Sequence, residues 1–388
     1  MRSRLKALIK QNKILYRIYF CFGSLFLRLI GIFFKTDPDL VLFISYGGQK
    51  YDDSPRAVYE YLQKHPISSS QRLIWAFTDP NEFPHITSKV KVDTLRYYIM
   101  ALRAGFWITN SSASRGLNFK KKRTKNMLFT HGLTGIKKIG VDIQQPEKAF
   151  KIGFNEQFDT IFVEGKKEIP LLAHAWQKDP SIFHLTGLPR NDDLAVVSKN
   201  EIEAIKARLG IPLTKKVIMY APTFREFSRS EDGRNALGIP IDFSKWEAAL
   251  GQEFVLLITA HYEVSKLLDE LPDNDFIINA FKYPVLNDLI KVSDILISDY
   301  SSIVFDYSIM ERPIFCYGYD YDDYLVERGL GQLFSHGVLR TEDELLSAIK
   351  SINYDKECAY TRDCINNEYI ASYGNASEKA VKIIFQGA

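Results

Sequence analysis

The polar side chains that could carry chemistry in this sequence follow short apolar runs. His131 comes directly after "NMLFT", His261 after "EFVLLITA", and Arg225 after "KVIMYAPTF". Histidine suits general-base catalysis because its unperturbed pKa lies near neutrality, and arginine suits bidentate contact with phosphate. The sequence therefore predicts proton transfer beside a bound anion.

The stretch "SDYSSIVFDYSIMERP" (298–313) places Asp299, Ser301 and Ser302 between an apolar run and a predicted helix. Free amide groups at a helix start and two small hydroxyl groups suit a phosphate group. Ordinary helix capping explains the serines equally well. Both interpretations stay open for this stretch taken alone.

Further candidates share a position at a predicted strand exit or turn. In "FTHGLTGIKKIG" (129–140) two glycines permit close backbone approach and two lysines would meet an anionic substrate, although a solvated loop histidine is the plain alternative. "YAPTFRE" (220–226) and "GLPRND" (187–192) have equally plain interpretations as turns or caps. The residues in this group are Gly132, Lys137, Lys138, Arg190, Asn191, Asp192 and Thr223.

The pattern of predicted strands and helices indicates an α/β fold that would position these residues. Buried-type strands alternate with helices such as 54–65, for which Ser54 is the predicted N-cap, and 198–210, with Ser198 as the predicted N-cap. We predict a GT-B-like architecture: two doubly wound, Rossmann-like domains facing each other across a cleft. Ligands of such sheets bind beyond the carboxyl ends of the strands. The predicted segments are 1–36 as an N-terminal amphipathic membrane-binding helix, 37–196 as the first α/β domain and 197–388 as the second α/β domain, whose last helix is a candidate to cross back.

The first 35 residues contain eight basic residues and no acidic residue. Seven polar positions, six of them basic, fall on one helical stripe, and the rest of the segment is mostly Leu, Ile, Phe and Tyr. Arg17 and Arg28 interrupt the apolar run, so the pattern favours a helix lying in an anionic membrane surface over one that crosses the bilayer. A helix packed on the body of the protein is the alternative.

Bulk composition excludes several classes of protein. The 388 residues carry a net charge of +3, which argues against a nucleic-acid partner for the chain as a whole. The four cysteines show no zinc spacing and fit a reducing compartment. The candidate residues form no acidic metal motif, so we predict no metal site and no certain cofactor, and the pattern is compatible with Mg²⁺.

Taken together, the motifs resemble the CDP-glycerol glycerophosphotransferase family, which builds teichoic acids and related polyol-phosphate capsules. The resemblance extends over roughly residues 40 to 330. The matching stretches occur in order: "YDDSPRAVYEYL", "RAGFWITNSS", "HGLTGIKKIGVDI", "GLPRNDDL", "YAPTFRE", "AHYEV" and "SDILISDYSSIVFDYSIMERPIFCYGYDYDDYLVERGL".

The resemblance implies a peripheral enzyme at the cytoplasmic face of the bacterial cell membrane. It would transfer a polyol phosphate from CDP-glycerol or CDP-ribitol to a lipid-linked or polymer acceptor and release CMP. In that case 37–196 would be the acceptor-side domain and 197–388 the CDP-donor-binding domain. The motif histidines fall on His131 and His261, and the phosphate loop on 299–302. We expect His131 to accept the proton of the attacking hydroxyl, and Asp320 and Glu327 to hold ribose or cytosine.

Departures from the family pattern leave the polyol open. Thr130 stands where the family usually has Trp, and "LGQLFSHGVL" replaces an aromatic-rich stretch. Glycerol or ribitol, primase or polymerase, and teichoic acid or capsule are not distinguished. The competing hypotheses are a GT-B glycosyltransferase with a nucleotide-sugar donor, and a non-catalytic protein that binds anionic glycopolymer.

Overall fold

The computed structural model describes residues 13–131, 138–142, 156–222, 241–259, 274–321 and 333–386. Two parallel β-sheets with packed helices form the described part of the chain. This arrangement confirms the predicted α/β fold class. The candidate residues that fall outside the described part are Gly132, Lys137, Thr223, Arg225, His261 and Glu327.

The first sheet has seven strands in the described residues, in the order β3-β2-β1-β4-β5-β6-β7. Neighbouring strands are parallel throughout; in the centre, Phe43 of β1 lies opposite Trp75 of β2 and Ile108 of β4. The strands are β1 (Asp37–Ile44), β2 (Arg72–Phe77), β3 (Lys89–Lys91), β4 (Ala104–Thr109), β5 (Lys125–Phe129), β6 (Thr160–Val163) and β7 (Phe183–Leu185).

The second sheet has six parallel strands in the described residues, in the order β10-β9-β8-β11-β12-β13. Strands β8 to β10 follow one another toward one edge of this sheet, and β11 to β13 follow one another toward the other edge, so the order reverses between β8 and β11. The first sheet has the same reversal between β1 and β4. Such switch points are where open parallel sheets bind ligands. The strands are β8 (Lys216–Ala221), β9 (Phe254–Ile258), β10 (Ile277–Asn279), β11 (Ile295–Ser298), β12 (Ile314–Tyr317) and β13 (Val338–Leu339).

Helices connect and cover the strands. Ser198 accepts a hydrogen bond from the amide of Glu201, as predicted for an N-cap, whereas the predicted cap at Ser54 is wrong because Asp52 occupies that position. The α-helices are α1 (Lys13–Ile32), α2 (Asp53–Lys64), α3 (Leu95–Arg103), α4 (Glu168–Trp176), α5 (Lys199–Leu209), α6 (Phe243–Leu250), α7 (Leu286–Val292), α8 (Ile303–Ser308), α9 (Glu342–Lys350), α10 (Tyr354–Tyr360), α11 (Asn367–Tyr369) and α12 (Ala376–Gln386).

Both faces of each sheet are buried, which explains why the strands are continuous apolar runs. Along β8, Val217 and Met219 pack into one hydrophobic cluster, and Ile218 and Tyr220 pack into another on the opposite face. Alternate residues point to opposite faces of a strand, so a strand covered on both sides needs apolar residues at successive positions. The apolar runs therefore form the core of each sheet, and the polar residues begin where the strands end.

The end of the described chain returns to the first sheet. Helix α12 packs Ala380, Val381 and Ile384 into the cluster that contains Phe43 of β1. On the way, the chain passes so close to Gly165 that a Cβ atom there would collide with the carbonyl oxygen of Tyr369. The chain therefore passes between the two sheets twice: once between β7 and β8, and once more before α12.

Helix α1 lies along the first domain with two unlike faces. Ser24 and Leu27 are buried against the domain, and Ser24 Oγ accepts a hydrogen bond from the Asn118 amide at 2.9 Å. On the other face the large apolar residues are exposed: Leu15, Ile18, Tyr19, Phe22, Leu25, Phe26, Leu29 and Ile32. By length and composition Leu15–Ile32 could cross a membrane, a test that core helices and signal sequences also pass.

Candidate active site

His131 lies just beyond the carboxyl end of β5, where its imidazole meets a buried carboxylate. Its Nδ1 atom is 2.9 Å from Oδ2 of Asp53, whose side chain is 1% exposed, whereas the histidine side chain is 31% exposed. The pKa of Asp53 is held well below its usual range: burial opposes ionisation, but the Arg190 guanidinium and His131 outweigh it. An ionised Asp53 makes Nδ1 the protonated nitrogen, which leaves Nε2 of a neutral imidazole as the proton acceptor.

Tyr46 holds the imidazole from the side. The two rings stack with centroids 5.1 Å apart and an interplanar angle of 19°, and Tyr46 Oη donates to Asp53 Oδ2 at 3.1 Å. Burial, followed by the charge of Asp53, raises the pKa of the Tyr46 phenol, so it stays protonated and remains a donor. The ring and the carboxylate together fix the plane of the histidine.

The backbone around Asp53 explains how the carboxylate reaches this position. Asp53 has a φ of 64°, in the left-handed region that non-glycine residues rarely occupy. Asn110, which comes directly after β4, also donates from Nδ2 to Asp53 Oδ2 at 2.9 Å. Residues that follow β1, β4 and β5 therefore all contact the Asp53 carboxylate. The left-handed backbone conformation of Asp53 is of the strained kind that is typical of functional sites.

The loop after β1 is pinned to its neighbours by its own backbone. The amides of Tyr46 and Gly47 donate to side-chain oxygens of Asn110 and Ser111 at 2.8 and 2.9 Å. Gly48 has a φ of 92°, and a Cβ there would lie 3.1 Å from the amide nitrogen of Thr78. The paired glycines in "SYGG" thus let the loop fold tightly enough to aim Tyr46 at His131.

The loop 299–302, which follows β11 of the second sheet, meets His131, which follows β5 of the first sheet. Ser302 Oγ donates to the carbonyl oxygen of His131 at 3.4 Å, and Ser301 Oγ accepts from the amide of Ile303 at 3.3 Å. Asp320 joins the same group because Tyr300 Oη donates to its carboxylate at 2.9 Å. The structure therefore brings Ser302 to His131, places Ser301 next to it in the same loop, and ties Asp320 to this loop through Tyr300. Asp299, at the start of the loop, is buried.

The three residues of the "GLPRND" motif are engaged by the protein itself. Arg190 lies between Asp53 and Asp306, Asn191 Nδ2 donates to Glu164 Oε1 at 3.1 Å, and Asp192 accepts from the first amides of α12. These contacts give Asp192 a capping role at α12. Lys138, the remaining described candidate, is partly exposed beyond His131.

Several candidates lie outside the described residues, although the strands that lead to them are described. Strand β8 ends at Ala221, before Thr223 and Arg225, and β9 ends at Ile258, before His261. Strand β8 is hydrogen-bonded to both β9 and β11, the strand that precedes Ser301. The sequence motifs therefore start from neighbouring carboxyl ends of one sheet.

Sequence reasoning missed the carboxylates that organise the site. Asp53 lies inside the motif "YDDSPRAVYEYL", directly before the serine that resembles a helix cap, and Asp306 lies in the apolar context "IVFDYS". Glu164 directly follows the apolar strand β6 and is 1% exposed. A single acid within or directly after a buried apolar run was the available signal, because buried charges need partners.

In the described part of the chain, no group of three or more His, Cys, Asp or Glu side chains is arranged to hold a metal ion. The basic side chains that face carboxylates here are those of His131 and Arg190. The arrangement can orient an imidazole as a base and place hydroxyl groups beside it.

Comparison with known proteins identifies relatives along nearly the whole chain. A model of the family described as CDP-Glycerol:Poly(glycerophosphate) glycerophosphotransferase matches residues 26–386. The chain is 30% identical over 370 residues to the teichoic acid glycerol-phosphate transferase of Staphylococcus aureus, a match that covers 90% of this chain and 93% of that protein. The similarity thus includes both sheets.

A longer relative and a solved structure extend the comparison. The chain is 33% identical over 309 residues to the teichoic acid poly(glycerol phosphate) polymerase of Staphylococcus epidermidis, covering 76% of this chain and 42% of that protein. The chain therefore matches less than half the length of that polymerase. A structure of a variant of the wall teichoic acid polymerase TagF soaked with CDPG has a TM-score of 0.78 and 28% identity, covering 90% of this chain and 89% of that one.

Proposed function

The chain belongs to the CDP-glycerol:poly(glycerophosphate) glycerophosphotransferase family, and from this premise we propose that it transfers a polyol phosphate from a CDP-activated donor to an acceptor hydroxyl and releases CMP. Glycerol phosphate is the first choice of transferred group and ribitol phosphate the second. The acceptor is a lipid-linked or polymer hydroxyl in teichoic acid or capsule synthesis.

The observation that carries this proposal is the meeting of His131 with the loop 299–302. The imidazole is held by a buried, ionised Asp53, and the hydroxyl of Ser302 touches the carbonyl of the same histidine. A base and a hydroxyl-rich loop from opposite domains are the two parts that phosphoryl transfer to an alcohol needs. Neither part alone would distinguish an enzyme from a binding protein.

In the proposed reaction the acceptor hydroxyl attacks the β-phosphorus of the donor. His131 Nε2 takes the hydroxyl proton as the new oxygen–phosphorus bond forms. The bond from the β-phosphorus to the bridging oxygen breaks, and CMP leaves with the electron pair. Asp53 stabilises the imidazolium that forms, because its carboxylate stays ionised in the buried site.

The donor would lie on the second domain. We assign its phosphates to Ser301 and Ser302, with Thr223, Arg225 and His261 as further partners on neighbouring strand exits, and its ribose or cytosine to Asp320 and Glu327. The acceptor would approach from the first domain, past Gly132, Lys137 and Lys138. These residues are compatible with Mg²⁺ without requiring it, since helix amides and cationic side chains also stabilise developing charge on phosphate.

We further propose that α1 holds the enzyme at the cytoplasmic face of the membrane. Its buried face packs on the first domain, so the helix lies along the protein surface and directs its exposed apolar residues away from it. The exposed basic residues Lys122, Arg123 and Lys125 follow a lysine, Lys121, whose Nζ donates to the carbonyl of Phe34 just after α1. An apolar face with basic neighbours suits an anionic leaflet.

Helix α1 also reaches the side of the first domain that carries the site. A Cβ atom at Gly116 would lie 3.6 Å from Tyr16 Oη, in the first turns of α1. The preceding residue, Arg115, donates to the carbonyl of Gly47 in the loop that contains Tyr46. A lipid-linked acceptor held at α1 would therefore have a short path to His131.

The test is to incubate the purified protein with CDP-glycerol or CDP-ribitol and a lipid-linked acceptor, and to analyse nucleotides and lipids by mass spectrometry. We expect CMP release together with an acceptor heavier by one or more polyol-phosphate units. Turnover of a nucleotide sugar with release of UDP or GDP would support a glycosyltransferase instead. Binding of anionic polymer without consumption of any donor would support a non-catalytic function.

A further inference from the structure

Arg190 bridges the two domains through buried carboxylates. Its Nη1 atom donates to Asp53 Oδ1 at 3.1 Å, and its Nη2 atom donates to both oxygens of Asp306 at 3.0 and 3.1 Å. The side chains of Asp53, Asp306 and Arg190 are 1%, 7% and 15% exposed. One guanidinium therefore serves a carboxylate of α2 and a carboxylate of α8 at the same time.

The side chains around Arg190 form one buried cluster of acids and an amide. Asn191 Nδ2 donates to Asp306 Oδ1 and to Glu164 Oε1, so a third acid lies in the same cluster. Burial, followed by the charge of Asp306, raises the pKa of Glu164 well above its usual range, so this acid stays neutral. The carboxylates of Asp53 and Asp306 thus share one buried guanidinium, and the geometry of each depends on the other.

Helix α8 reaches His131 by two routes. Ser302, at the start of α8, donates to the carbonyl oxygen of His131, and Asp306, one turn later, reaches the imidazole through Arg190 and Asp53. Residues four apart lie on the same face of a helix. A small movement of α8 would therefore change the backbone contact and the carboxylate contact of His131 together.

We propose that Arg190 and Asp306 are positioning residues that make the orientation of the His131 imidazole depend on the docking of α8. This inference rests on the proposed function, in which the loop before α8 holds the donor phosphates. Loss of the Asp306 charge frees Arg190 to bind both oxygens of Asp53. The guanidinium then competes with His131 for Oδ2, and the base loses the partner that fixes its tautomer. The base is thus aligned when the donor domain is in place.

The experiment compares Asp306→Asn and Arg190→Lys with a matched control, Asp193→Asn. Asp193 lies in the same 3₁₀ helix as Arg190 (Pro189–Leu194) and also pairs across the domains, with Lys291 at 2.8 Å, while Lys291 retains Glu201. Each full-length variant is checked by thermal unfolding, then measured for CDP-glycerol affinity by calorimetry, for kcat and KM, and for the tautomer of His131 by ¹⁵N NMR of labelled histidine.

We expect Asp306→Asn and Arg190→Lys to lower kcat by about 10- to 100-fold, to leave the dissociation constant of CDP-glycerol within about twofold, and to shift the His131 ring nitrogens away from the Nδ1-protonated form. Asp193→Asn should change none of these. Folded Asp306→Asn protein with the wild-type kcat and the wild-type tautomer would overturn the inference, as would an equal loss in Asp193→Asn. A tautomer shift in Asp306→Asn without any turnover of CDP-glycerol or CDP-ribitol by the wild type would support the positioning role and refute the proposed function.

Discussion

Two regions of this protein reverse the usual distribution of charge and apolar surface. Where Arg190 lies between α2 and α8, the side chains of Asp53, Asp306 and Arg190 itself are buried. On α1, Phe22 and Ile32 are 70% and 77% exposed. The buried charges find partners inside the chain, whereas the outer face of α1 points away from it. Partners inside the chain satisfy the buried charges of the first region, whereas the outward apolar residues of the second region suit an external apolar partner.

The largest expected effect comes from Asp53→Asn, which tests whether the buried charge is catalytic. An asparagine amide would donate to Nδ1 of His131 and place the proton on Nε2, so the base could not accept a proton. We expect kcat to fall by about 10²- to 10⁴-fold, with CDP-glycerol affinity retained, in steady-state assays of CMP release.

The matched control is Asp37→Asn. Asp37 begins the same strand, β1, and pairs with Arg72 at the opposite end of the sheet. Its loss should leave kcat unchanged. Wild-type turnover by a folded Asp53→Asn protein would show that the buried carboxylate is only structural.

The next largest effect tests the exposed region. Replacing Phe22 and Phe26, which are 70% and 58% exposed, with serine removes two side chains that would enter the membrane. Each buried phenylalanine contributes about 1.5–3 kcal/mol, so partition onto anionic vesicles should fall at least about 100-fold. Sedimentation of protein with vesicles measures this change.

A control for that experiment replaces Val196 and Leu213, which are 84% and 62% exposed but lie away from α1. Serine at both positions should leave vesicle binding unchanged. Equal binding by the Phe22/Phe26 variant and the wild type would contradict the membrane proposal and leave the outer face of α1 for another partner.

The smallest expected effect is a change in stability, and it tests the contrast between two buried acids: the pKa of Asp53 is lowered, whereas the pKa of Glu164 is raised. Because the pKa of folded Glu164 lies well above that of the unfolded chain, about 4.3, the unfolded state loses its proton first as the pH rises. The carboxyl group therefore costs stability, at up to about 1.4 kcal/mol per pH unit above that value. Glu164→Gln lacks this term and should gain stability over the wild type between pH 5 and pH 7.

Denaturant unfolding of both proteins at several pH values measures that gain. Below about pH 4 the unfolded carboxyl group is also protonated, so the difference between the two proteins should become constant there. A difference that does not change with pH from 5 to 7 would mean that Glu164 is ionised in the folded protein.

Much of the fold was readable from the sequence, because strands covered on both faces must be apolar runs. The runs ending before His131 and Asp299 became β5 and β11, and the Ser198 cap formed as predicted. The position of both candidates beyond strand ends follows from the parallel topology alone. His131 and Ser302 were therefore found without knowledge of any contact between them.

The partners of His131 could not be read in the same way. Asp53 contacts Arg190, 137 residues away in the sequence, and no local pattern encodes such a pairing. The left-handed conformation of Asp53 also places the start of α2 one residue before the predicted cap at Ser54. The packing of α1 on the protein could not be read from its sequence for a similar reason: Ser24 is the one non-basic position of the predicted polar stripe, and it is buried with its Oγ atom accepting from the Asn118 amide.

The central claim is that His131 is the base that activates the acceptor hydroxyl next to a donor bound at 299–302. Single-turnover transfer from CDP-glycerol by His131→Asn, measured beside donor binding by calorimetry, tests it most directly. The expected result is a transfer rate lower by about 10²- to 10⁴-fold with donor affinity near that of the wild type. A near-normal transfer rate, or a loss confined to donor affinity, would contradict the claim.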